Sequence, residues 1–278
     1  MSTVRHTRIP AVLGRYAAYR TGFLIALLGI VGGGAMYVFA DKIALFAWDR
    51  FHTASIALLL NRTNADLALG IGQYHFGGPE YDPKIALAAF RQANAIGGDS
   101  IFGHYNVGRI LFVEGRLDEA RAEMNAERAY HPANRRALYM LGLINAYGGQ
   151  LAEAEKNFRE FVAWAPSEWA GYNDLAWVLA QEEKYDEARA ILEEALAVVP
   201  DAEKNPWLWN NLGVQNLNLG LFDEARAQFL KAKGYAADLT EKDWRSAYPG
   251  NDPVHAKEGI SAFRQAIEKN LAAAFEGQ

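Results

Sequence analysis

Residues 135–166 read RRALYMLGLINAYGGQLAEAEKNFREFVAWAP, and the pattern of this stretch recurs on both sides of it. Its marker residues, in chain order, are Leu141, Gly142, Gly149, Ala154, Phe158 and Pro166. Equivalent residues lie 34 positions upstream and 34 positions downstream, and a fourth copy follows after 37 positions. Period, order and residue type all agree, so the chain contains an array of repeats.

Three positions show the period most clearly. Residues spaced by 34 are Val107, Leu141 and Leu175; Ala120, Ala154 and Ala188; and Pro132, Pro166 and Pro200. The fourth copy carries Leu212, Gly213, Ala225 and Phe229, and its additional residues fall near Asp201–Pro206.

This pattern resembles the tetratricopeptide repeat, W-x2-L-G-x2-Y…A-x3-F…P. An earlier unit over Ala65–Gly98 is less regular, because two additional residues lie in the turn Tyr74–Tyr81, and it looks more like a Sel1-type repeat. The resemblance implies an all-α fold, a right-handed solenoid of helical hairpins with about five units over residues 65–238.

Packing explains why these residue types recur. A glycine or alanine after the leucine lets the second helix of a unit approach the first helix closely. Gly115, Gly149 and Gly220 are predicted to end first helices in the left-handed conformation that a C-cap requires. The prolines stop the second helices and begin the next unit.

The N-terminal residues predict a membrane anchor. Residues 1–20 carry four arginines and no acidic residue, and residues 21–40, TGFLIALLGIVGGGAMYVFA, carry no charge. Twenty apolar residues can cross a bilayer, and the positive-inside rule places the N-terminus in the cytoplasm. We therefore expect a single-pass inner-membrane protein with extracytoplasmic or periplasmic repeats. A cleaved signal ending at Ala40 is the alternative, and its apolar stretch would be unusually long.

Small residues within the same segment suggest self-association. Gly29 and Gly33 have the small-xxx-small spacing that allows two membrane helices to approach closely. We therefore expect possible pairing of two copies through this face.

Two further segments flank the repeats. Residues 41–64 contain no proline or glycine and predict one juxtamembrane helix. Residues 239–278 predict a connector with Trp244 and Tyr248, followed by a capping helix over Pro253–Phe275. Its apolar stripe consists of Ile260, Phe263, Ile267, Leu271 and Phe275.

Composition argues for binding and against catalysis. The chain has a net charge of −5 and no cysteine, and residues 21–278 carry 24 basic and 33 acidic side chains. An acidic body is poorly suited to nucleic acid. The histidines show no metal-binding spacing, and no phosphate-binding loop or nucleophile motif is present. We therefore expect no catalytic site, no metal and no cofactor.

The first helices of the repeats are predicted to line a concave groove, as the resemblance implies. The predicted groove residues are Phe102, Tyr105, Asn106, Arg109, Arg136, Tyr139, Met140, Asn173, Asp174, Trp177, Asn210 and Asn211. Asparagine can both donate to and accept from a peptide bond, and aromatic and arginine side chains often dominate interfaces. This set favours a scaffold that binds a peptide segment of another protein, in an envelope or secretion complex.

Three alternatives remain at this point. Aromatic rings with polar neighbours also suit a cell-wall or exported polysaccharide. The protein could be a passive structural subunit of a membrane complex, recruited through its membrane helix and convex face. Finally, Tyr105, Tyr139 and Trp177 could pack between neighbouring helices, and the asparagines could bond locally.

Overall fold

The structure, a computed structural model, describes residues 33–77, 80–97, 102–247 and 259–277. Within these ranges the chain is all-α, with one 3₁₀ turn and no strand. The helices are α1 Gly33–Phe51, α2 Ala54–Leu60, α3 Ala65–Gly77, α4 Pro83–Gly97, α5 Gly103–Val113, α6 Leu117–Tyr130, α7 Arg136–Tyr147, α8 Leu151–Trp164, α9 Trp169–Gln181, α10 Tyr185–Val198, α11 Pro206–Asn218, α12 Phe222–Ala237, α13 Glu241–Ala247 and α14 Gly259–Glu276. Helices α3 to α12 form five consecutive pairs, which stack into the predicted solenoid.

Each pair is closed by a small residue on its first helix and a large residue on its second. A Cβ added to Gly142 would lie 2.6 Å from the Cε1 atom of Phe158. The same relation holds for Gly72 with Phe90 and for Gly213 with Phe229. The two backbones can therefore approach this closely only because one residue has no side chain.

The large residue of this contact is not phenylalanine in every unit. Gly108 lies against the flexible Met124, whose Cε would be 2.6 Å from an added Cβ. In the third clear unit Ala176 replaces the glycine, and the residue equivalent to Phe158 is the smaller Leu192. Both are fully buried, so the pair preserves total volume at this contact.

The turns inside the pairs confirm the predicted C-cap glycines. Gly115, Gly149 and Gly220 have φ angles of 75°, 76° and 75°. The third clear unit keeps the same conformation without glycine, since Glu183 occupies the equivalent position with a φ of 59°. Glu183 is exposed, and the left-handed region is unfavourable for a residue with a side chain.

The N-terminal part of the described chain differs from the expectation of one helix over residues 41–64. The structure has two helices, α1 and α2, because His52 adopts a φ of 48° and turns the chain between them. Most of the predicted membrane span, residues 21–32, lies outside the described residues, as does Gly29. No helix that the structure describes is long and apolar enough to span a bilayer.

At the other end, α14 packs against α12. Arg264, near the start of α14, donates to the carbonyl oxygens of Ala236, Ala237 and Leu239 at 2.9, 2.9 and 2.7 Å. These carbonyl groups lie at the C-terminal end of α12. The last carbonyl groups of a helix have no hydrogen-bond donor within the helix, and the helix dipole favours a cation there. Ile260 and Ile267 are buried, whereas Phe275 is exposed. The predicted helix start at Pro253, and Tyr248, lie outside the described residues.

The contact between Gly142 and Phe158 predicts a coupled pair of substitutions. We expect Gly142→Ala to destabilise the fold by about 1–3 kcal/mol through overpacking. Adding Phe158→Leu recreates the pair found at Ala176 and Leu192, so we expect the double variant to lose less than the sum of the two single changes. Urea unfolding followed by circular dichroism measures all three.

Gly234→Ala serves as the control, because no atom lies within 4 Å of an added Cβ there. It should leave stability unchanged or raise it by up to about 1 kcal/mol. If the effects of Gly142→Ala and Phe158→Leu on the free energy of unfolding were strictly additive, this would contradict a direct contact between the two residues.

The strained turn at Glu183 predicts a stabilising substitution. Glu183→Gly should raise stability by about 1 kcal/mol, since glycine adopts a positive φ without steric penalty. Glu194→Gly, at an exposed position inside α10, should lower it by about the same amount. Equal shifts of the unfolding midpoint in the same direction would rule out strain at Glu183.

Candidate functional site

Polar side chains on α7, α9 and α11 bond to one another across the first helices of three units. The Tyr139 hydroxyl donates to Asp174 Oδ2 at 2.6 Å, and Asn173 Nδ2 donates to Asp174 Oδ1 at 3.2 Å. Asn211 Nδ2 donates to the Asn173 backbone carbonyl at 2.9 Å, and Gln215 Nε2 donates to Asn211 Oδ1 at 2.8 Å. We call these five residues the polar ladder. It connects neighbouring units directly.

The ladder changes the role of the predicted asparagines. The amide of Asn211 both donates to α9 and accepts from Gln215, so its hydrogen-bonding groups are used inside the protein. Asn210 Oδ1 accepts from Asn270 Nδ2 of α14 at 3.1 Å. The structure therefore agrees with the alternative that these amides bond locally.

Two predicted groove residues do not reach the surface. Met140 is fully buried and Asn106 is 8% exposed. Met140 shares a helix face with Ile144, four residues later, which is also fully buried. We therefore correct the assignment of Met140 to the groove, since it belongs to the hydrophobic core.

A buried carboxylate organises the start of α5. Glu127 is 0% exposed, and its carboxylate accepts from the backbone N–H groups of Phe102 and Tyr105, each at 3.1 Å. It also accepts from Asn134 Nδ2 at 2.8 Å. The N-cap residue Phe102 has a φ of 70° and provides no side-chain cap, so Glu127 from α6 satisfies these donors instead.

Sequence reasoning missed Glu127, although the repeat contains a signal for it. The equivalent residues in the next two units are Phe161 and Ala195. A carboxylate at an otherwise apolar position of the repeat indicates a special local partner, because a buried charge needs hydrogen bonds.

Two arginines lie over aromatic rings beside this helix start. The Arg109 guanidinium carbon is 4.9 Å from the Phe76 ring centroid and 5.6 Å from that of Tyr105. Burial lowers the pKa of Arg109 and raises the pKa of Tyr105. Arg136 lies 5.8 Å from the Phe102 ring centroid and is exposed. Arg136 forms no ion pair with any carboxylate among the residues that the structure describes.

Next to Arg136 is a pocket of about 770 Å³. We call it the aromatic pocket. It is lined by Tyr105, Arg136, Tyr139, Phe161, Trp164, Ala165, Pro166, Ser167, Glu168, Trp169, Ala170, Trp207, Leu239 and Asp243. Trp164 is 52% exposed and presents its ring to any molecule that enters. The pocket thus combines apolar walls with the Arg136 cation and two carboxylates.

Stacked rings hold the walls of the aromatic pocket in place. Trp169 and Trp207 stack with centroids 5.2 Å apart, and Trp207 stacks on Phe263 of α14 at 5.4 Å. On another side, the Tyr139 and Phe161 rings are 5.0 Å apart. Each of these rings contacts a second ring, and this packing restricts the movement of the pocket walls.

The structure brings together only part of the predicted set. Tyr105, Arg136 and Tyr139 line the aromatic pocket, and Phe102 and Arg109 contact these residues or lie beside them. Trp177 lies elsewhere, with its ring 5.5 Å from that of Tyr147. The four aromatic residues that sequence reasoning missed are Phe161, Trp164, Trp169 and Trp207.

One sequence signal could have located this pocket. The position held by Phe102, Arg136 and Trp207 in three units is occupied by Ala170 in the third clear unit. Ala170 lies in the pocket lining, where a small side chain leaves space between Arg136 and Trp207. No cluster of histidine, aspartate and glutamate able to hold a metal occurs in the described ranges.

Comparison with known proteins identifies the repeats. The tetratricopeptide repeat family matches residues 105–168, 146–206 and 173–238. No curated protein sequence matches the chain.

Solved structures share the fold at low identity. MamA from Desulfovibrio magneticus RS-1 (residues 41 to the end) is 19% identical, with a TM-score of 0.55 over 62% of this chain and 95% of its own. YrrB, described as a TPR protein with an unusual peptide-binding site, is 19% identical, with a TM-score of 0.52 over 67% and 93%. TTC0263, a thermophilic TPR protein from Thermus thermophilus, is 21% identical, with a TM-score of 0.51 over 68% and 98%.

At these identities the likeness concerns the fold, and it agrees with the family match and the helix pairs described above. Residues 105–238 therefore match the tetratricopeptide repeat family, and the residues that the structure describes fold as an all-α solenoid of the TPR type.

Proposed function

We infer that this chain is a membrane-anchored TPR scaffold that binds a peptide segment of a partner protein through the aromatic pocket. The observation that carries this proposal is the pocket itself, with its aromatic walls and the exposed Arg136 cation. Its volume of about 770 Å³ suits a few side chains of an extended segment and not a folded domain.

The chemistry of the walls defines the expected segment. Trp164, Phe161 and Trp169 provide apolar surface for an aromatic or aliphatic side chain. Arg136 can pair with a carboxylate through two parallel hydrogen bonds. We therefore expect a bulky apolar residue close to an acidic residue or to a C-terminal carboxylate, with this carboxylate at Arg136 and away from Glu168 and Asp243.

The comparison with YrrB supports a binding role for this fold. YrrB is a TPR protein with a peptide-binding site, and its fold is similar to that of this chain. Solenoids present extended concave surfaces, which is why they commonly act as binding proteins and seldom as enzymes. We assign the chain a scaffold role without a catalytic step.

The anchor and the cellular setting are the remaining parts of the proposal. Residues 21–40 would span the inner membrane, with residues 1–20 in the cytoplasm and the repeats outside it. Gly29 and Gly33 would allow two copies to pair. Assembly of an envelope or secretion complex is the setting that fits this topology.

Peptide-display selection against the full-length protein in detergent tests the binding site. Wild type should enrich peptides that combine an aromatic or large aliphatic residue with a nearby carboxylate. Arg136→Ala/Trp164→Ala should weaken these peptides by roughly 100-fold, since two anchor side chains of about 1–2 kcal/mol each are removed. Both residues are exposed, so the thermal midpoint should stay unchanged.

The matched control is Tyr130→Ala/Arg135→Ala. Tyr130 is an exposed aromatic residue, Arg135 pairs with Glu160, and neither lines the pocket. Equal affinity of both double variants would place binding elsewhere and favour a passive structural subunit. Binding on a glycan array, without enriched peptides, would favour the polysaccharide alternative.

The polar ladder predicts a contrasting variant. Asn211→Ala removes bonds to Asn173 and Gln215 and should lower the free energy of unfolding by about 1–3 kcal/mol, because polar groups around it are left unpaired. Peptide affinity of the folded fraction should stay near that of wild type. A loss of affinity at unchanged stability would return Asn211 to the binding surface. Urea unfolding and fluorescence anisotropy measure the two quantities.

A further inference from the structure

The first described helix has one face packed on the protein and one face that is open. Its buried residues, at spacings of four and three, are Ala40, Ala44 and Ala47. Its exposed residues are Phe39, Lys42, Leu45, Phe46, Asp49 and Arg50, and among them Phe39, Lys42, Phe46 and Arg50 follow one another at positions i, i+3, i+7 and i+11. We call these four residues the outer face of α1.

Exposure makes the outer face unusual. Phe39 is 47% exposed and Phe46 is 51% exposed, although large aromatic side chains normally gain from burial. Lys42 Nζ lies 5.7 Å from the Phe39 ring centroid. Neither Lys42 nor Arg50 forms an ion pair within the described ranges. Aromatic and basic side chains on one helix face are typical of helices at a membrane surface.

Hydrogen bonds fasten α1 to the first repeat. The Asp41 carboxylate accepts from the Thr63 hydroxyl at 2.6 Å and from the backbone N–H groups of Arg62 and Thr63. The Thr63 hydroxyl is the main reason why the pKa of Asp41 lies below its usual value. The Trp48 ring of α1 also packs 5.2 Å from the Tyr74 ring of α3. Helix α1 is therefore part of the solenoid and not a separate tether.

We propose that the Lys42 and Phe46 side chains of the outer face of α1 lie among the lipid headgroups, where α1 leaves the membrane, and hold the first repeat close to the membrane surface. This proposal rests on the proposed anchor over residues 21–40. The uncharged run ends at Ala40, so Phe46 stands at most about 9 Å beyond it along a helix. The headgroup region is about 5–8 Å thick, and a modest tilt brings Phe46 into it.

Charge supports the same orientation. The exposed residues of α1 from Phe39 to Arg50 carry two cations, Lys42 and Arg50, and one acid, Asp49, a net charge of +1, whereas the chain beyond residue 20 carries 24 basic and 33 acidic residues, a net charge of −9. Anionic lipids attract Lys42 and Arg50 and repel the acidic remainder of the solenoid. Because α1 continues without a break from Gly33 to Phe51, the membrane would also set the orientation of the repeats.

The absence of cysteine allows a direct test with single labels. We would reconstitute full-length Phe46→Cys, labelled with an environment-sensitive NBD dye, into vesicles of equal parts phosphatidylcholine and phosphatidylglycerol. A lipid with a spin label near its headgroup should quench this dye, and the dye emission should shift to the blue.

Two further labels give the controls. Leu45→Cys replaces an exposed residue that lies about 100° around α1 from Phe46. Leu230→Cys replaces an exposed residue on α12, in the fourth clear repeat. The expected order of quenching is Phe46 above Leu45, with none at Leu230. Vesicle flotation reports the anchor separately.

The outcomes separate the two proposals. If the protein floats with the vesicles and the dye at position 46 is quenched most, the result supports the proposal that the outer face of α1 faces the membrane. Flotation with Phe46 and Leu230 equally unquenched overturns it and leaves the anchor intact. Protein that stays at the bottom of the gradient overturns the anchor and the inference together. Lys42→Cys, on the same face, repeats the measurement should Phe46→Cys reduce folding.

Discussion

The close approach of a glycine to a large side chain inside each helix pair is the contact on which the solenoid depends. Gly142 allows the Phe158 ring to lie where a side chain of its own would be, and both helices are thereby set at a fixed separation. The stacking of successive helix pairs depends on this separation between the two helices of a pair. The turn residues Gly115, Gly149, Glu183 and Gly220 give four of the hairpins the same left-handed turn conformation. In the pair of Ala176 and Leu192 the larger first residue is offset by a smaller second residue, so the total volume is nearly kept while both residue types change.

Contacts between units are of a different kind, because they are specific to this chain. The polar ladder connects α7, α9 and α11 through side chains that no repeat motif requires. Buried polar networks tolerate few alternative geometries, since an unpaired group is costly. The ladder therefore stabilises the contact between successive units.

Most of the repeat architecture could be predicted from the sequence, because its marker residues recur at a fixed spacing. Gly115, Gly149 and Gly220 lie at equivalent positions, and their positive φ angles follow from that equivalence. The groove residues were harder to predict from the sequence. The repeat period shows which helix face a side chain lies on, but not which residues of neighbouring helices it contacts. Asn211 and Tyr139 lie on the predicted helices, yet α9 lies within hydrogen-bonding reach of both. Met140 was assigned to the groove but is buried in the core. On this helix, the neighbouring residue Tyr139 lines the pocket while the Met140 side chain points into the core.

The informative residues are those that interrupt the repeat. Glu127 replaces an apolar residue and caps α5, Glu183 replaces a glycine and strains a turn, and Ala170 replaces a bulky residue and opens a pocket. The first two adjust the fold locally. The third leaves a space that α14 does not fill, although its Phe263 stacks against the wall. A solenoid of regular units would have continued the row of large side chains through position 170. The proposed peptide site rests on this gap, which lies beside the exposed Arg136 and is walled by stacked rings.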